Sequence, residues 1–279
     1  DSLTGNLTIL EPAESNLTNL SIAGQGAEAE IVEGTETNVS VDVTNVGDTA
    51  DNFTVTANVG DETLTQELTV NVSADTTERI TFEELNTSEL PARETPFTVT
   101  VSTPTADDSL TGNLTVLAPG RAELANLSIA GQGANAEIPE GTDANVSVDV
   151  SNIGETTGNF TVSLDIGSGE VTRSQNISVE PDNTRQVTFD DVTGNLTDGS
   201  FDVTVSTPTA NDSLIGNLTI LEPGQAELAN LSIAGQGSEA EIPESTDANI
   251  SVNVTNIGQT PDNFTISLDI DPASGEGVT

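Results

Sequence analysis

An internal repeat of about 105 residues constrains the fold of this 279-residue chain more than any other feature of its sequence. The segment Asn19-Leu20-Ser21-Ile22-Ala23-Gly24-Gln25-Gly26 recurs at residues 126–133 and 230–237, so the copies are 107 and then 104 residues apart. The three-residue difference falls between Phe82 and Phe97, in a loop that we expect to be exposed and tolerant of insertions. Each repeat is long enough to be a domain with its own core.

The repeat divides the chain into four predicted ranges, each a β-sandwich module or a part of one. Residues 1–12 match 108–119 and 212–223 and correspond to the last strand of a preceding module. Residues 13–119 and 120–223 form two β-sandwich modules, and residues 224–279 form the first half of a further one. Because half a sandwich exposes open edges, we interpret the chain as a window of a longer tandem array. The alternative is that strands from neighbouring chains complete the ends.

Strict alternation of apolar and polar residues, as in Asn159-Phe160-Thr161-Val162-Ser163-Leu164, indicates strands with one buried face and argues against disorder. Turn residues separate the predicted strands. In the complete second copy these strands are 124–130, 144–151, 159–166, 171–179, 184–190, 201–206 and 213–221. The prediction is therefore an all-β fold of tandem immunoglobulin-like antiparallel β-sandwich modules. With no Cys or Trp, the core must be aliphatic plus Phe, which recurs at three inward positions in each full module.

Short joints connect the modules at Glu11-Pro12-Ala13-Glu14-Ser15, Ala118-Pro119-Gly120-Arg121 and Glu222-Pro223-Gly224-Gln225. A short joint that contains proline has little reach and restricts the angle between its neighbours, so we expect a fairly stiff rod. The Gly24-Gln25-Gly26 segment and its copies favour a tight turn, and a ligand or interface role is the alternative.

The charge and composition exclude several functions. The chain has 46 acidic and 5 basic residues, a formal charge of −41, and its cations are the scattered Arg79, Arg93, Arg121, Arg173 and Arg185, so we expect no nucleic-acid binding. His, Lys, Cys and Tyr are absent, which removes the usual catalytic bases and nucleophiles. The adjacent carboxylates Glu83-Glu84 and Asp190-Asp191 point apart in an extended chain, so we predict that the segment is not an enzyme.

The carboxylates have two interpretations. The first is a solvated surface adapted to high salt, where charge repulsion is screened. The second is divalent-cation binding, with Ca²⁺ as the candidate, at Asp107-Asp108, at Asp190-Asp191, or at Asp269 with Asp271 and Glu276. No EF-hand pattern is present, so we assign no metal site and no cofactor.

The most specific chemical signal is Asn-x-Ser/Thr, the acceptor for N-linked glycans, which 19 of the 25 asparagines begin. Strand alternation alone raises this frequency, so a merely polar, solvated surface is the alternative. Four positions carry the motif in all three copies, and their strand parity points them away from the core. The N-glycosylation candidates are Asn6, Asn19, Asn38, Asn52, Asn113, Asn126, Asn145, Asn159, Asn217, Asn230, Asn249 and Asn263.

Each copy also contains the pattern Val-x-Asn-x-Gly before an alternating strand, at Val43–Gly47, Val150–Gly154 and Val254–Gly258. In this respect the two complete modules resemble the CARDB type of cell-adhesion-related β-sandwich domain. With the acidity and the dense glycosylation motifs, the whole chain resembles tandem-repeat surface glycoproteins of halophilic archaea. The resemblance implies an extracellular or cell-surface structural and adhesive role.

The sequence thus predicts an extracellular structural glycoprotein whose repeats build a cell-surface filament or stalk in high salt. The alternative is an adhesin, surface-layer or binding module that recognises glycans or other cells, although such sites usually display exposed aromatic residues. The expected partners are copies of the chain itself, neighbouring modules and other surface glycoproteins. We expect no membrane insertion within this segment.

Overall fold

The computed structural model is all-β, as predicted, and describes residues 1, 3–60, 63–93, 95–104, 108–207 and 212–270. The first repeat contains β1 (Ser15–Ile22), β2 (Glu28–Val32), β3 (Thr37–Asn45), β4 (Asp51–Val59), β5 (Leu64–Val72), β6 (Thr77–Leu85), a 3₁₀ turn (Thr87–Glu89), β7 (Phe97–Thr103) and β8 (Asp108–Leu117). These strands form a three-stranded sheet in the order β1-β3-β6 and a five-stranded sheet in the order β2-β8-β7-β4-β5.

The second repeat has the same strand order. Its strands are β9 (Ala122–Ile129), β10 (Asn135–Pro139), β11 (Val146–Asn152), β12 (Gly158–Ile166), β13 (Val171–Val179), β14 (Thr184–Phe189), β15 (Gly199–Thr207) and β16 (Asp212–Leu221). They form the sheets β14-β11-β9 and β10-β16-β15-β12-β13. The repeat seen in the sequence is therefore a repeat of sheet topology.

The core of the first repeat lies between the inward faces of its strands. Val39, Val41 and Val43 on β3 are fully buried, as are Val55 and Ala57 on β4, because alternate residues of a strand point to the same face. Five of the six predicted core phenylalanines are buried, namely Phe53, Phe82, Phe97, Phe160 and Phe189. Phe201 is only half-buried. The aliphatic and Phe core is confirmed at all but this one position.

The prediction of seven strands per module is wrong by one strand. The described residues of each full repeat contain eight, since β10 and its counterpart β2 were not predicted, and each of these two pairs in parallel with the last strand of its own repeat. The close approach requires glycine on that last strand, because a Cβ atom on Gly112 would lie 2.3 Å from the Ala27 carbonyl oxygen. Gly216 meets Ala134 in the same way at 2.1 Å.

The third repeat contributes β17 (Ala226–Ile233) and β18 (Ile250–Asn256), which pair antiparallel. The described structure lacks the strand that was predicted to hold Phe264, Ile266, Leu268 and Ile270. Residues 3–12 do not form a strand either. Leu268 and Ile270 are exposed, as are Leu3, Leu7 and Ile9. Both segments have the alternating pattern of a strand, but no strand of the described structure pairs with them.

Two further predictions about loops have different outcomes. The loop before Phe97 is only partly exposed, because Leu90 and the Thr87 side chain are fully buried, and Thr87 donates a hydrogen bond to the Thr35 carbonyl. The Gly-x-Gly segment does form a tight turn. Gly24 and Gly26 have positive φ angles of 74° and 101°, and the Ile22 N–H donates to the Gly26 carbonyl at 2.8 Å.

The chain divides into two compact units, whose bounds differ from the repeat boundaries. The first unit comprises Asp1–Glu123, Ser151–Phe160 and Asn176–Arg185, and the second comprises Leu124–Val150, Thr161–Gln175 and Gln186–Thr279. Residues 151–160 belong to the first unit, and their backbone hydrogen bonds to residues 118–121 lie within that unit. The four predicted module ranges stay a prediction.

Candidate functional site

The predicted joints, which we call the joint segments (11–15, 118–121 and 222–225), bind the Asn-x-Gly turns, which we call the joint turns (45–49, 152–156 and 256–260). In the first joint, the Val46 N–H donates to the Glu14 carbonyl at 2.8 Å, and the Asp48 N–H donates to the Glu11 carbonyl at 3.1 Å. The same two backbone hydrogen bonds recur in the other two copies. They join Ile153 to Arg121, Glu155 to Ala118, Ile257 to Gln225 and Gln259 to Glu222.

The asparagine of each joint turn is the centre of this arrangement. The Asn152 side chain is buried, and its Oδ1 accepts hydrogen bonds from the N–H groups of Gly154 and Arg121, both at 3.0 Å. Its Nδ2 donates to the carbonyls of Thr156 at 2.8 Å and Val179 at 2.9 Å. Four backbone groups are thereby satisfied by one amide, which is the full capacity expected of a buried asparagine.

Asn45 and Asn256 repeat these contacts. The Oδ1 of Asn45 accepts from Gly47 at 3.0 Å and Glu14 at 3.3 Å, and its Nδ2 donates to the carbonyls of Thr49 and Val72. In the third copy, Asn256 accepts from the N–H groups of Gly258 and Gln225 and donates to the Thr260 carbonyl. Asn45 therefore repeats all four contacts of Asn152, and Asn256 repeats three of them.

A second side chain in each joint turn accepts a hydrogen bond from the joint segment. The Glu11 N–H donates to the Asp48 carboxylate at 2.9 Å, and the Ala118 N–H donates to the Glu155 carboxylate at 2.7 Å. In the third copy Gln259 takes this place and accepts from the Glu222 N–H at 3.0 Å. Because a neutral amide replaces the carboxylates, the position requires an acceptor oxygen rather than a negative charge.

The glycine of each joint turn makes room for the proline of the joint segment. A Cβ atom on Gly47, Gly154 or Gly258 would lie 2.1, 2.1 or 2.0 Å from the carbonyl oxygen of Pro12, Pro119 or Pro223, respectively. These distances are far below van der Waals contact, so only glycine fits. The Val-x-Asn-x-Gly pattern, interpreted from the sequence as strand and turn chemistry, thus also holds the joint segment, a role that the sequence analysis missed.

The twelve candidate glycosylation sites lie at the surface. Asn217 is half-buried, and its amide exchanges hydrogen bonds with Ser200. The other eleven are exposed: Asn6, Asn19, Asn38, Asn52, Asn113, Asn126, Asn145, Asn159, Asn230, Asn249 and Asn263. Of the further motif asparagines, Asn211 lies outside the described residues. An exposed side chain is necessary for a glycan, and glycosylation itself stays a prediction.

Three of these asparagines also have a structural role. Asn19, Asn126 and Asn230 have φ angles of 55°, 55° and 54°, and the first and third of them lie where the strand register shifts. Asparagine tolerates this left-handed region better than most residues. The Asn19 amide also donates to Asp42 at 2.8 Å, and the Asn126 amide donates to Asp149 at 2.9 Å. The recurrence of this motif therefore has a backbone cause as well as a chemical one.

Two substitutions separate these causes. We expect Asn126→Ala to lower the free energy of unfolding by about 1–2 kcal/mol, because alanine loses the hydrogen bond and tolerates positive φ poorly. Ser128→Ala removes the glycosylation motif but keeps Asn126, so its cost should stay below about 0.5 kcal/mol. Urea unfolding at constant ionic strength measures both changes. Asn126→Gly is the control, because glycine loses the side-chain hydrogen bond as alanine does but tolerates the positive φ angle. Equal losses for Asn126→Ala and Ser128→Ala would contradict the backbone role.

The candidate cation sites do not come together in the described structure. Asp107, Asp271 and Glu276 lie outside the described residues. Asp108 accepts a hydrogen bond from the Leu17 N–H, and Asp212 does the same for Leu124 at 2.7 Å. Among the residues whose structure is described, no three carboxylates form a group that could hold a metal ion.

The carboxylate pairs considered for catalysis are exposed. Glu83 and Glu84 lie on β6, and Asp190 and Asp191 follow β14. A cleft of about 640 Å³ lies elsewhere and is lined by Glu170, Asp198 and Phe201 among others. Within the described part of the chain, no helix has the length and apolarity needed to cross a membrane.

Comparisons with known proteins gave structural likenesses only. No protein-family model matches the sequence, and no curated protein sequence matches it either. A transglutaminase from red sea bream aligns with 77% of this chain and 32% of its own, at 14% identity and a TM-score of 0.29. A GH2 β-galacturonidase from Eisenbergiella tayi aligns with 70% of this chain and 37% of its own, at 11% identity and a TM-score of 0.30. A 1.5-MDa bacterial ice-binding adhesin aligns with 79% of this chain and 70% of its own, at 17% identity and a TM-score of 0.36.

Proposed function

We propose that this chain is part of an extracellular structural glycoprotein whose tandem β-sandwich repeats build a cell-surface filament or stalk in high salt. The observation that carries the proposal is the joint. The same backbone ladder, the same asparagine and the same glycine bind the joint segment in all three copies. The repetition of these contacts favours an element whose length comes from adding equivalent repeats over a chain that links unlike binding domains.

The other parts of the proposal rest on surface chemistry. Eleven of the twelve candidate asparagines are exposed, as attachment of N-linked glycans requires, and they occur in every repeat. A net charge of −41 with a single ion pair among the described residues, Arg79 with Asp42, suits a solvent in which repulsion between carboxylates is screened. Both features are typical of a surface that stays soluble under high salt outside the cell.

Two measurements on native material test this function. Electron micrographs at high salt should show long polymers for a filament or single thin rods for a stalk. A planar lattice would instead favour a surface-layer protein, and compact isolated particles would contradict both forms. Intact mass before and after deglycosylation should fall by the mass of several glycans, and a native mass equal to that of the bare chain would exclude the glycoprotein.

A further inference from the structure

Phe201, the predicted core phenylalanine that is only half-buried, lies in the cleft of about 640 Å³ in the second repeat. We call this the Phe201 cleft. The corresponding residue of the first repeat is Phe97, which is 5% exposed. Each of the two begins or follows the start of the strand after the loop of unequal length, on β7 and β15 respectively. The two rings therefore invite a comparison of what covers them.

In the first repeat, an arginine of the same chain covers the ring. The guanidinium carbon of Arg93 lies 3.4 Å from the centre of the Phe97 ring. At such a distance the face of the ring attracts the cation. The backbone N–H of Arg93 donates to the Val116 carbonyl at 3.2 Å, and its Nη2 donates to the Pro96 carbonyl at 3.3 Å. These hydrogen bonds hold the arginine in place over the ring.

The second repeat has no such arginine, because its loop is shorter. Leu90 and Leu196 are equivalent, since each donates its N–H to the carbonyl of a threonine three residues earlier. Six residues separate Leu90 from Phe97, whereas only residues 197–200 separate Leu196 from Phe201, and none of these four is basic. Within the described part of the chain, no cation lies over the Phe201 ring.

Two carboxylates border the Phe201 ring instead. Glu170 and Asp198 line the cleft together with Phe201. The Glu170 carboxylate lies beside the ring, since a Cβ atom added to Gly167 would be 3.2 Å from the Glu170 Oε2 and 3.1 Å from the Phe201 Cδ1. The residue of the first repeat that corresponds to Glu170 is Thr63, which is neutral. The repeat that lacks the arginine thus carries a negative charge beside its ring.

The charge and shape of the Phe201 cleft suit a planar cation. Glu170 and Asp198 are exposed, and among the described residues neither takes part in an ion pair. An aromatic face attracts a cation, and carboxylates accept charge-assisted hydrogen bonds from it. A guanidinium fits better than an ammonium group, because it is planar, stacks on rings and donates to a carboxylate through two N–H groups at once.

We propose that the Phe201 cleft binds an arginine side chain of a partner protein, with the guanidinium stacked on Phe201 and hydrogen-bonded to Glu170 and Asp198. The first repeat fills the corresponding place with its own Arg93, which indicates the chemistry of the occupant. At about 1 M ionic strength the Debye length is about 3 Å, so stacking and direct hydrogen bonds persist while long-range attraction is screened. The inference goes beyond the proposed structural function, because it gives the second repeat a binding partner.

Nuclear magnetic resonance of the full chain with the peptide acetyl-Gly-Arg-Gly-amide tests this site. We expect a Kd in about the millimolar range, because one side chain supplies nearly all the contacts. The δ-methylene protons of the peptide arginine should shift upfield, as protons over an aromatic face do. The same peptide with citrulline in place of arginine keeps the shape without the charge, and it should bind at least about tenfold more weakly.

Variants of the chain locate the site. Phe201→Leu keeps an apolar side chain but removes the ring, so it should weaken binding by at least about threefold and abolish the upfield shift. Glu170→Thr introduces the residue of the first repeat and should also weaken binding by at least about threefold. The control Glu123→Gln removes one exposed charge on β9 and should bind like the unmodified chain. Circular dichroism verifies that each variant is folded.

Three results would overturn the inference. Equal affinities for the arginine and citrulline peptides would show that the positive charge is not recognised. Equal losses in Glu170→Thr and Glu123→Gln would show that only the net charge acts. Binding of the neutral disaccharide N,N′-diacetylchitobiose but not of the arginine peptide would assign the ring to a sugar, such as a glycan on Asn195, which also lines the cleft. Each of these results leaves the proposed filament or stalk standing, and micrographs without rods or polymers would refute that function while leaving this site intact.

Discussion

Replacing Asn152 with alanine is expected to lower the free energy of unfolding by about 3–5 kcal/mol, because one amide satisfies four backbone groups at the joint. Without it, the N–H groups of Gly154 and Arg121 and the carbonyls of Thr156 and Val179 lose their partner. Since Asn152 is only 1% exposed, water cannot replace these bonds without opening the turn. Urea unfolding at constant high salt measures the loss.

Trypsin reports where the structure opens. The chain has five basic residues, all arginine, and Arg121 lies in the joint segment, held by its own N–H and carbonyl. Cleavage after Arg121 therefore requires the joint to open. Each 1.4 kcal/mol lost from the free energy of opening the joint should speed the cleavage about tenfold. Asn152→Ala should raise this cleavage rate relative to cleavage after the exposed Arg93 by roughly a hundredfold.

Two companion variants make the result specific. Asn152→Asp keeps the size and the acceptor but loses both donated hydrogen bonds, so it should open the joint as well. Asn195→Ala changes an exposed asparagine of the same repeat and should cost less than about 0.5 kcal/mol. If Asn152→Ala and Asn195→Ala unfold alike, Asn152 does not hold the joint.

The second large effect is expected for Gly154→Ala, which adds one methyl group where there is no room. The new Cβ would lie 2.1 Å from the Pro119 carbonyl oxygen and 2.8 Å from the Gly120 Cα, so backbone must move. We expect the joint segment to leave the turn, at a cost of about 3 kcal/mol or more. Cleavage after Arg121 should then become at least about a hundredfold faster.

Gly194 provides the matched control. It lies in the same repeat, and a Cβ atom added there would meet nothing within 4 Å. Gly194→Ala should leave the free energy of unfolding within about 1 kcal/mol of its original value, or raise it slightly, by reducing the entropy of the unfolded chain. Similar cleavage rates for the two alanine variants would refute the steric role. The double variant Asn152→Ala with Gly154→Ala should cost less than the sum of its parts, because both release the same segment.

Much of the fold was predictable because strand alternation records which face is buried. The predicted strand 171–179 has the same bounds as β13, and the predicted strand 159–166 differs from β12 by one residue. The strand β10 was missed because Asn135-Ala136-Glu137-Ile138-Pro139 has only two inward positions and few residues that favour strands. Its residues pair with β16 residues that are 82 positions away in sequence, as Asn135 with Asn217, and this pairing runs through the backbone, which leaves no side-chain signal.

The error at residues 264–270 has a different cause. Alternation states which side of a strand would be buried, but a strand also needs a neighbour with free N–H and C=O groups. In the described structure this segment has none, so Leu268 and Ile270 stay exposed. The sequence pattern was correctly recognised, and the pairing that it requires could not be read from it.

The candidate site was predicted in part. Proline and the short length indicated a restricted joint, and Asn-x-Gly indicated a turn, but nothing in the sequence linked the two. The link runs from Asn152 to Arg121 across 31 residues, and every group that Asn152 binds belongs to the backbone. Any residue carries such groups, so only the fold could identify Arg121 as the partner.

The parallel pairing of β2 with β8 has a mechanical consequence. Tension along a tethered chain pulls β8 towards its C-terminal end, while β2, which the chain enters through β1, is pulled towards its N-terminal end. Because the two strands run in the same direction, their register pairs from Glu28 with Asn113 to Val32 with Leu117 are loaded in shear. These hydrogen bonds must then break together rather than one at a time, so the second and last strands of the repeat act as a clamp against stretching.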